Sequence, residues 1–236
     1  MENSFTKTIE RLIHEIICEA LKTNLKYEDF ASVMISAYGF RPIKVGYARL
    51  VSKIETLIAT MHKLSIKHSR SNIDSVSLLR NLISGRKGII KAYLVDDLGL
   101  PEIYALAKSF GYPNLSLKVI VNEMGNTQTF KEIFGVNYMN ELSRILGAQL
   151  IAGQDRLVHE IFGRWVTYNE LLRLMGKLLP TRLLEIIDEA PAIIIADHGY
   201  DVEHVGGYYR LCHGLECRKA LLSMICPIIL VSSQPS

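Results

Sequence analysis

The chain has 236 residues, 49% of them hydrophobic and 22% charged, a balance that excludes an intrinsically disordered chain and a low-complexity fibre. No apolar run approaches the roughly 18 residues of a membrane span, and the opening MENSFTKTIER lacks the basic-then-apolar order of a signal peptide, so no membrane partner and a cytoplasmic location are expected. The four cysteines, Cys18, Cys212, Cys217 and Cys226, are too few and too unevenly spaced for a disulfide framework, and buried thiols in a reducing compartment are expected. The net charge of +3 is too small to imply nucleic-acid binding, but it is unevenly spread: residues 1–87 hold 14 Lys and Arg against 8 Asp and Glu, net +6, and the remainder is net −3.

From Thr6 to Leu25 the apolar residues Ile9, Leu12, Ile13, Ile16, Ile17, Ala20 and Leu21 recur at spacings of three and four, which predicts a helix with one buried face. A second helix is predicted over Tyr27–Ala37, ended by Gly39 and Pro42, and a third over Val45–Leu64. A short fourth is predicted over Ile73–Ile83. The run Ser84-Gly85-Arg86-Lys87-Gly88 reads as a linker, so two domains are expected: a basic helical domain over residues 1–85 and an α/β domain over residues 88–236.

Beyond Gly88 the pattern changes to short apolar runs alternating with helical stretches. Ile89–Val95 is followed by a helix over Pro101–Phe110, Leu117–Val121 by a helix around Phe130, and Ala148–Ala152 by helices between Asp155 and Leu184. Ala192–Ala196 precedes a Gly-rich loop, and Ile228–Val231 closes the series. This alternation predicts a largely parallel sheet covered on both faces, with ligands beyond the carboxyl ends of the strands.

Those ends carry the chemistry-bearing residues. Asp96 closes the first strand. Asp197 and His198 follow the most apolar one, Ile193-Ile194-Ile195, with Gly199 behind them for a tight turn. Asp155 and His159 are four apart and share a side of a helix turn; Asp201, Glu203, His204 and His213 follow. Mixed Asp and His ligation suits zinc or manganese, and two such ions about 3.5–4 Å apart are the usual arrangement for cleaving phosphate esters. Thr127 and Thr129 stand at a predicted helix start, where exposed N–H groups and the helix dipole hold a phosphoryl oxygen and a threonine hydroxyl is a candidate nucleophile.

Over residues 88–236 this order of elements resembles the alkaline phosphatase superfamily, and within it the PglZ-domain proteins associated with prokaryotic phage defence. Leu94-Val95-Asp96-Asp97-Leu98-Gly99 is similar to the superfamily's strand ending in a metal-binding Asp, with Asp97 where a small residue is usual. Met124-Gly125-Asn126-Thr127 is similar to the Met-Gly-Asn-Ser stretch of cofactor-independent phosphoglycerate mutases. Asp155-Arg156-Leu157-Val158-His159 matches an Asp-x-x-x-His element, Asp197-His198-Gly199 an Asp-His-Gly element, and His213 the last His before a closing strand, with His204 the competing choice.

The resemblance implies an alkaline-phosphatase-like α/β fold and two divalent metals, zinc or manganese. Asp155, His159 and His213 would hold one, and Asp96, Thr127, Asp197 and His198 would surround the other. It implies a metal-dependent phosphoesterase, hydrolase or transferase, acting on a phosphomonoester, a phosphodiester or nucleic acid. The alternative expectation is a non-catalytic PglZ-like scaffold that binds a protein or nucleic-acid partner through the basic helices. Ordinary readings compete for single residues: an N-cap for Thr127, solvated loop positions for Asp201, Glu203 and His204, packing for Trp165, and for Arg210 either a solvated charge or a phosphate contact.

Overall fold

The computed structural model describes residues 4–42, 46–65, 91–151, 163–187 and 190–232. The helix predicted over Ile73–Ile83, the linker at 84–88, Asp155, His159 and the basic residues Lys44, Lys67, Arg70, Arg80, Arg86 and Lys87 lie outside the described residues.

Three helices open the chain: α1 (Ser4–Lys22), α2 (Tyr27–Ala37) and α3 (Ala48–Ser65). The predicted stripe of α1 is the face it buries, with Ile9, Leu12, Ile13, Ile16, Ile17 and Ala20 all in the core. Each buried isoleucine there is worth roughly 1.5–3 kcal/mol relative to exposure. Next come β1 (Lys91–Val95), α4 (Leu100–Phe110), β2 (Leu115–Val121), α5 (Thr127–Phe134), α6 (Met139–Leu146) and β3 (Gln149–Ile151). Helix α7 (Tyr168–Arg173) runs through a π-helical turn, Leu174–Leu178, into α8 (Leu179–Ile186). The chain then forms β4 (Ala192–Ala196), a hairpin of β5 (Asp201–Val205) and β6 (Tyr208–Cys212), and β7 (Ile225–Val231).

The main sheet has five strands in the order β2-β7-β4-β1-β3. β1 runs parallel to both β3 and β4, while β7 is antiparallel to its neighbours β4 and β2. The sheet is therefore mixed, with four strands in one direction and β7 against them. The reason is local: a parallel strand needs a crossover that carries the chain back to the starting edge. Between β4 and β7 there is only the hairpin and two 3₁₀ turns, Gly214–Glu216 and Leu222–Met224, so β7 starts at the edge where β4 ended.

Continuous apolar strands require cover on both faces. Tyr93, Val95, Ile194 and Ile229 face a large core shared with α1, α2, α3, α4 and α8. Leu94, Ile193, Ile195 and Ile228 face a smaller core with Phe130, Leu142 and Leu146 of α5 and α6. The N-terminal helices are bonded into the first of these cores: the Tyr104 hydroxyl donates to the Leu25 carbonyl at 2.7 Å, and Gly176 in the π turn lies against the Glu28 backbone.

The hairpin departs from the expected Gly-rich loop. Gly206 and Gly207, both at positive φ, turn two short antiparallel strands, the hairpin signal of a Gly pair between short runs. Asp201 and Glu203, read from sequence as solvated, are buried. Asp201 accepts the backbone N–H groups of Leu221, Leu222 and Ser223, the Ser223 hydroxyl at 2.7 Å and the Tyr38 hydroxyl at 2.7 Å. It thus fastens the loop before β7 to the hairpin and to the chain just after α2. Asp201→Ala strands these buried donors together, and a loss of about 3 kcal/mol or more is expected in urea unfolding.

Cys212 and Cys217 form a disulfide, whereas Cys18 and Cys226 are free thiols. This corrects the expectation of four thiols. Disulfides persist in oxidising compartments and are mostly transient in reducing ones, so the cysteines no longer argue for a reducing compartment. Among the described residues no helix is long and apolar enough to cross a membrane.

Candidate metal centre

Register brings the site together. Val95 pairs with Ala196 across the parallel β1–β4 ladder, so Asp96 and Asp197 occupy equivalent places one residue past the two strand ends. Backbone bonds carry the alignment further: Asp197 N–H donates to the Val95 carbonyl at 3.3 Å, and Leu98 N–H to the His198 carbonyl at 3.0 Å. Asn122, one residue past β2, completes the frame. Its side-chain amide donates to the carbonyls of Asn126 and Asp197 at 2.7 and 3.0 Å, tying the start of α5 to the end of β4.

His198 is the centre of the cluster and fully buried. Its Nε2 is 3.2 Å from Asp96 Oδ1, 3.3 Å from Thr127 Oγ1 and 3.6 Å from Asp197 Oδ2. Its Nδ1 is 2.8 Å from Asp97 Oδ1 and 2.9 Å from the Gly199 carbonyl oxygen. The His213 ring stacks on it, with centroids 4.5 Å apart and planes at 23°. The residues expected to surround one metal, Asp96, Thr127, Asp197 and His198, are therefore neighbours. Of the other expected set, His213 lies beside them, while Asp155 and His159 are outside the described residues.

Three carboxylates around one imidazole, mostly out of water, unbalance the charge. Burial by itself would lower the His198 pKa, but the charges of Asp197 and Asp97 and the hydrogen bonds of Asp96 and Asp97 outweigh it and hold the ring protonated well above the usual histidine range. Burial pushes Asp197 up, against the pull of His198, with Asp96 and Asp97 adding to the rise. Such a cluster suits a divalent cation, which replaces protons with a larger positive charge.

Two observations fit the residues to a metal. Buried Asp197 Oδ2 and Asn122 Oδ1 accept no hydrogen bond among the described residues, so oxygen donors are available. Two groups of donor atoms also lie within 4.8 Å of one another, Asp96 with Asp197 and His198, and Asp97 with His198 and His213. Both groups use His198, and a neutral imidazole has a single lone pair to give. Among the described residues they therefore make one centre with two sides.

The other candidates resolve individually. Thr127 is not the N-cap of α5: Asn126 holds that place, its Oδ1 accepting Thr129 N–H at 2.9 Å, and Thr127 is left with its hydroxyl toward His198. Thr129 contributes its backbone to that cap. His204, the alternative to His213, packs on the rings of Phe40 and Tyr209. Arg210 is committed to Glu203, at 2.9 and 2.7 Å, and lies over Trp165, which accounts for it without a phosphate. His213 is delivered by the disulfide-closed turn. Gly214, at φ +51, brings that turn so close to the 124–126 loop that a Cβ would meet the Met124 carbonyl oxygen at 2.9 Å.

Sequence reasoning passed over Asn122 and Glu102, and read Asp97 only as standing where a small residue is usual. Glu102 is fully buried behind Asp97, accepting Gly99 N–H at 2.9 Å and the Tyr200 hydroxyl at 3.0 Å. Gly99 must be glycine, since a Cβ would sit 2.6 Å from the Tyr200 ring. Burial pushes the Glu102 carboxyl from 4.5 to about 7, with Asp97 adding to the rise. The folded pKa exceeds the unfolded one, so the stability the protonated group gives is complete below pH 4.5 and lost as pH rises through about 7. Glu102→Gln keeps the acceptor and removes the ionisation. It is expected to match the wild type near pH 4.5 and to be more stable at pH 8, by on the order of 2–3 kcal/mol in denaturant titrations at the two pH values.

No family model matches the chain, and searches of curated proteins and of solved structures return no match.

Proposed function

We propose that this chain is a metal-dependent phosphoester hydrolase or phosphotransferase with an alkaline-phosphatase-like core, similar to PglZ-domain proteins. The observation that carries the reading is the placement of Thr127 Oγ1, at the first turn of α5, 3.3 Å from the nitrogen of His198 that also faces Asp96 and Asp197. A hydroxyl, two carboxylates, an imidazole and a helix N-terminus meet at the carboxyl edge of the parallel strands, where α/β sheets bind ligands.

Asp96, Asp197 and His198 would hold a divalent ion, zinc or manganese, and a second would draw on His213. When bound, the metal supplies Lewis-acid stabilisation of phosphoryl charge. Thr127 Oγ1 attacks phosphorus in line with the ester oxygen, which departs, and a neighbouring carboxylate takes the hydroxyl proton. The exposed N–H groups at the start of α5 hold a phosphoryl oxygen. Water then cleaves the threonyl phosphate, or an alcohol accepts the group in a transfer.

The test is turnover of a phosphomonoester, a phosphodiester and single- and double-stranded nucleic acid by zinc- or manganese-loaded protein. Loaded protein that cleaves none of them sinks the reading. The scaffold alternative has less support. Of the basic N-terminal residues, Arg41 bonds the Tyr209 hydroxyl and lies over Tyr168, Lys53 pairs with Glu15, and Arg49 reaches Glu19 at 3.6 Å, so these charges are engaged within the protein.

A further inference from the structure

Asp97 occupies a position where its backbone is unfavourable. Its φ of +58 lies in the left-handed region, and it is one of two non-glycine residues there among those described. The flanking residues fix that conformation: Val95 accepts from Asp197, and Leu98 donates to the His198 carbonyl. Glycine would be the relaxed occupant. Instead a fully buried carboxylate stands there, with Oδ1 2.8 Å from His198 Nδ1. A carboxylate at a strained site needs a reason beyond packing.

The reason lies in the two sides of the His198 ring. Nδ1 bonds the Gly199 carbonyl oxygen at 2.9 Å and so carries hydrogen, with the charge of Asp97 Oδ1 at 2.8 Å beside it. That leaves Nε2, the atom turned toward Asp96, Asp197 and Thr127, as the nitrogen that gives its lone pair. The Gly199 carbonyl lies one residue along the backbone from the ring and takes the N–H, while Asp97 approaches from the end of the neighbouring strand and places its negative charge against the same side of the ring. A carboxylate behind a ligating histidine also raises the basicity of the nitrogen in front.

We propose that Asp97 is a positioning residue: it holds the His198 proton on Nδ1, so that Nε2 completes a metal site with Asp96 and Asp197. This rests on the metal-binding part of the function proposed above and is independent of the reaction catalysed. It assigns Asp97 to the outer side of the imidazole rather than to the ion.

The test compares wild type, Asp97→Gly and Asp97→Asn by calorimetric titration of metal-free protein with zinc and with manganese, alongside the thermal midpoint without metal. Asp97→Gly removes the acceptor and relaxes the backbone. Its affinity is expected to fall about tenfold to a hundredfold while its metal-free midpoint rises. A residue that only supports the fold would move both downward. Asp97→Asn keeps an acceptor oxygen for Nδ1–H and is expected to hold affinity within a few fold of wild type. Unchanged affinity in the glycine variant overturns the proposal, as does an asparagine variant as weak as the glycine variant, which would make Asp97 a direct ligand. A wild type that takes up neither metal overturns the metal reading itself, and is told apart because it is seen before any variant is compared.

Discussion

Thr127→Ala is expected to reduce phosphoester turnover by roughly a thousandfold or more while leaving metal content and fold unchanged. The size comes from the role: a nucleophile has no substitute, and a methyl group cannot form the covalent phosphoryl intermediate. The selectivity comes from the structure. Asn126 caps α5, so the mutation costs no cap, and the half-buried Thr127 gives up the 3.3 Å contact of its hydroxyl with His198 Nε2. A stability loss of no more than about 1 kcal/mol is therefore expected. Steady-state kinetics beside elemental analysis reads both quantities. Wild-type turnover in the variant would remove Thr127 as nucleophile, and undetectable turnover in both proteins would point to the scaffold reading.

The second large effect is loss of metal from the double variant Asp197→Ala/His198→Ala. His198 Nε2 and Asp197 Oδ2 lie 3.6 Å apart at the end of one buried strand, and removing both leaves Asp96 as the single remaining donor of its group. Wild-type protein should retain zinc or manganese after dialysis and gain thermal stability when either is added. Metal at a thousand times its dissociation constant is worth about 4 kcal/mol. The double variant should retain none and show no shift. The sign of the pH dependence is fixed by His198. Its raised pKa means that a bound ion must displace a proton, so affinity should increase as pH rises and protons should be released on binding. In metal-free protein the same ring stabilises the fold below its unfolded pKa near 6.5, and that contribution disappears as pH passes its higher folded value.

Asp96, Asp197, His198 and Thr127 are legible because strand ends and helix starts can be read from local pattern, and a parallel ladder then sets the residues beyond one strand end beside those beyond its neighbour's. The alignment needs no side-chain information. Asp97 reads from sequence only as a bulky residue where a small one is usual, because neither its positive φ nor its partner across the ladder is a local property. Asp201 and Glu203 read as solvated from their polarity, yet the loop before β7 folds over the first and Arg210 pairs with the second. The hairpin itself is readable from Gly206-Gly207, a glycine pair between two five-residue runs, Asp201–Val205 and Tyr208–Cys212, that carry Val and Tyr. The direction of β7 is readable as well. No helical periodicity separates His213 from Met224, and without a crossover helix the next strand has to return antiparallel.

The position of β7 has a consequence for how the protein is made. Every residue assigned to the metal centre precedes Ile225, yet β7 lies between β4 and β2 and is the connection that places β2 within the sheet. As the ribosome releases the chain from its N-terminal side, β1 and β4 can pair, bringing Asp96 to Asp197, while Asn122 and Thr127 follow a strand, β2, whose sheet partner is β7. A segment that donates no ligand thus secures the side of the centre that carries the hydroxyl, because among the described strands β2 joins the sheet through β7.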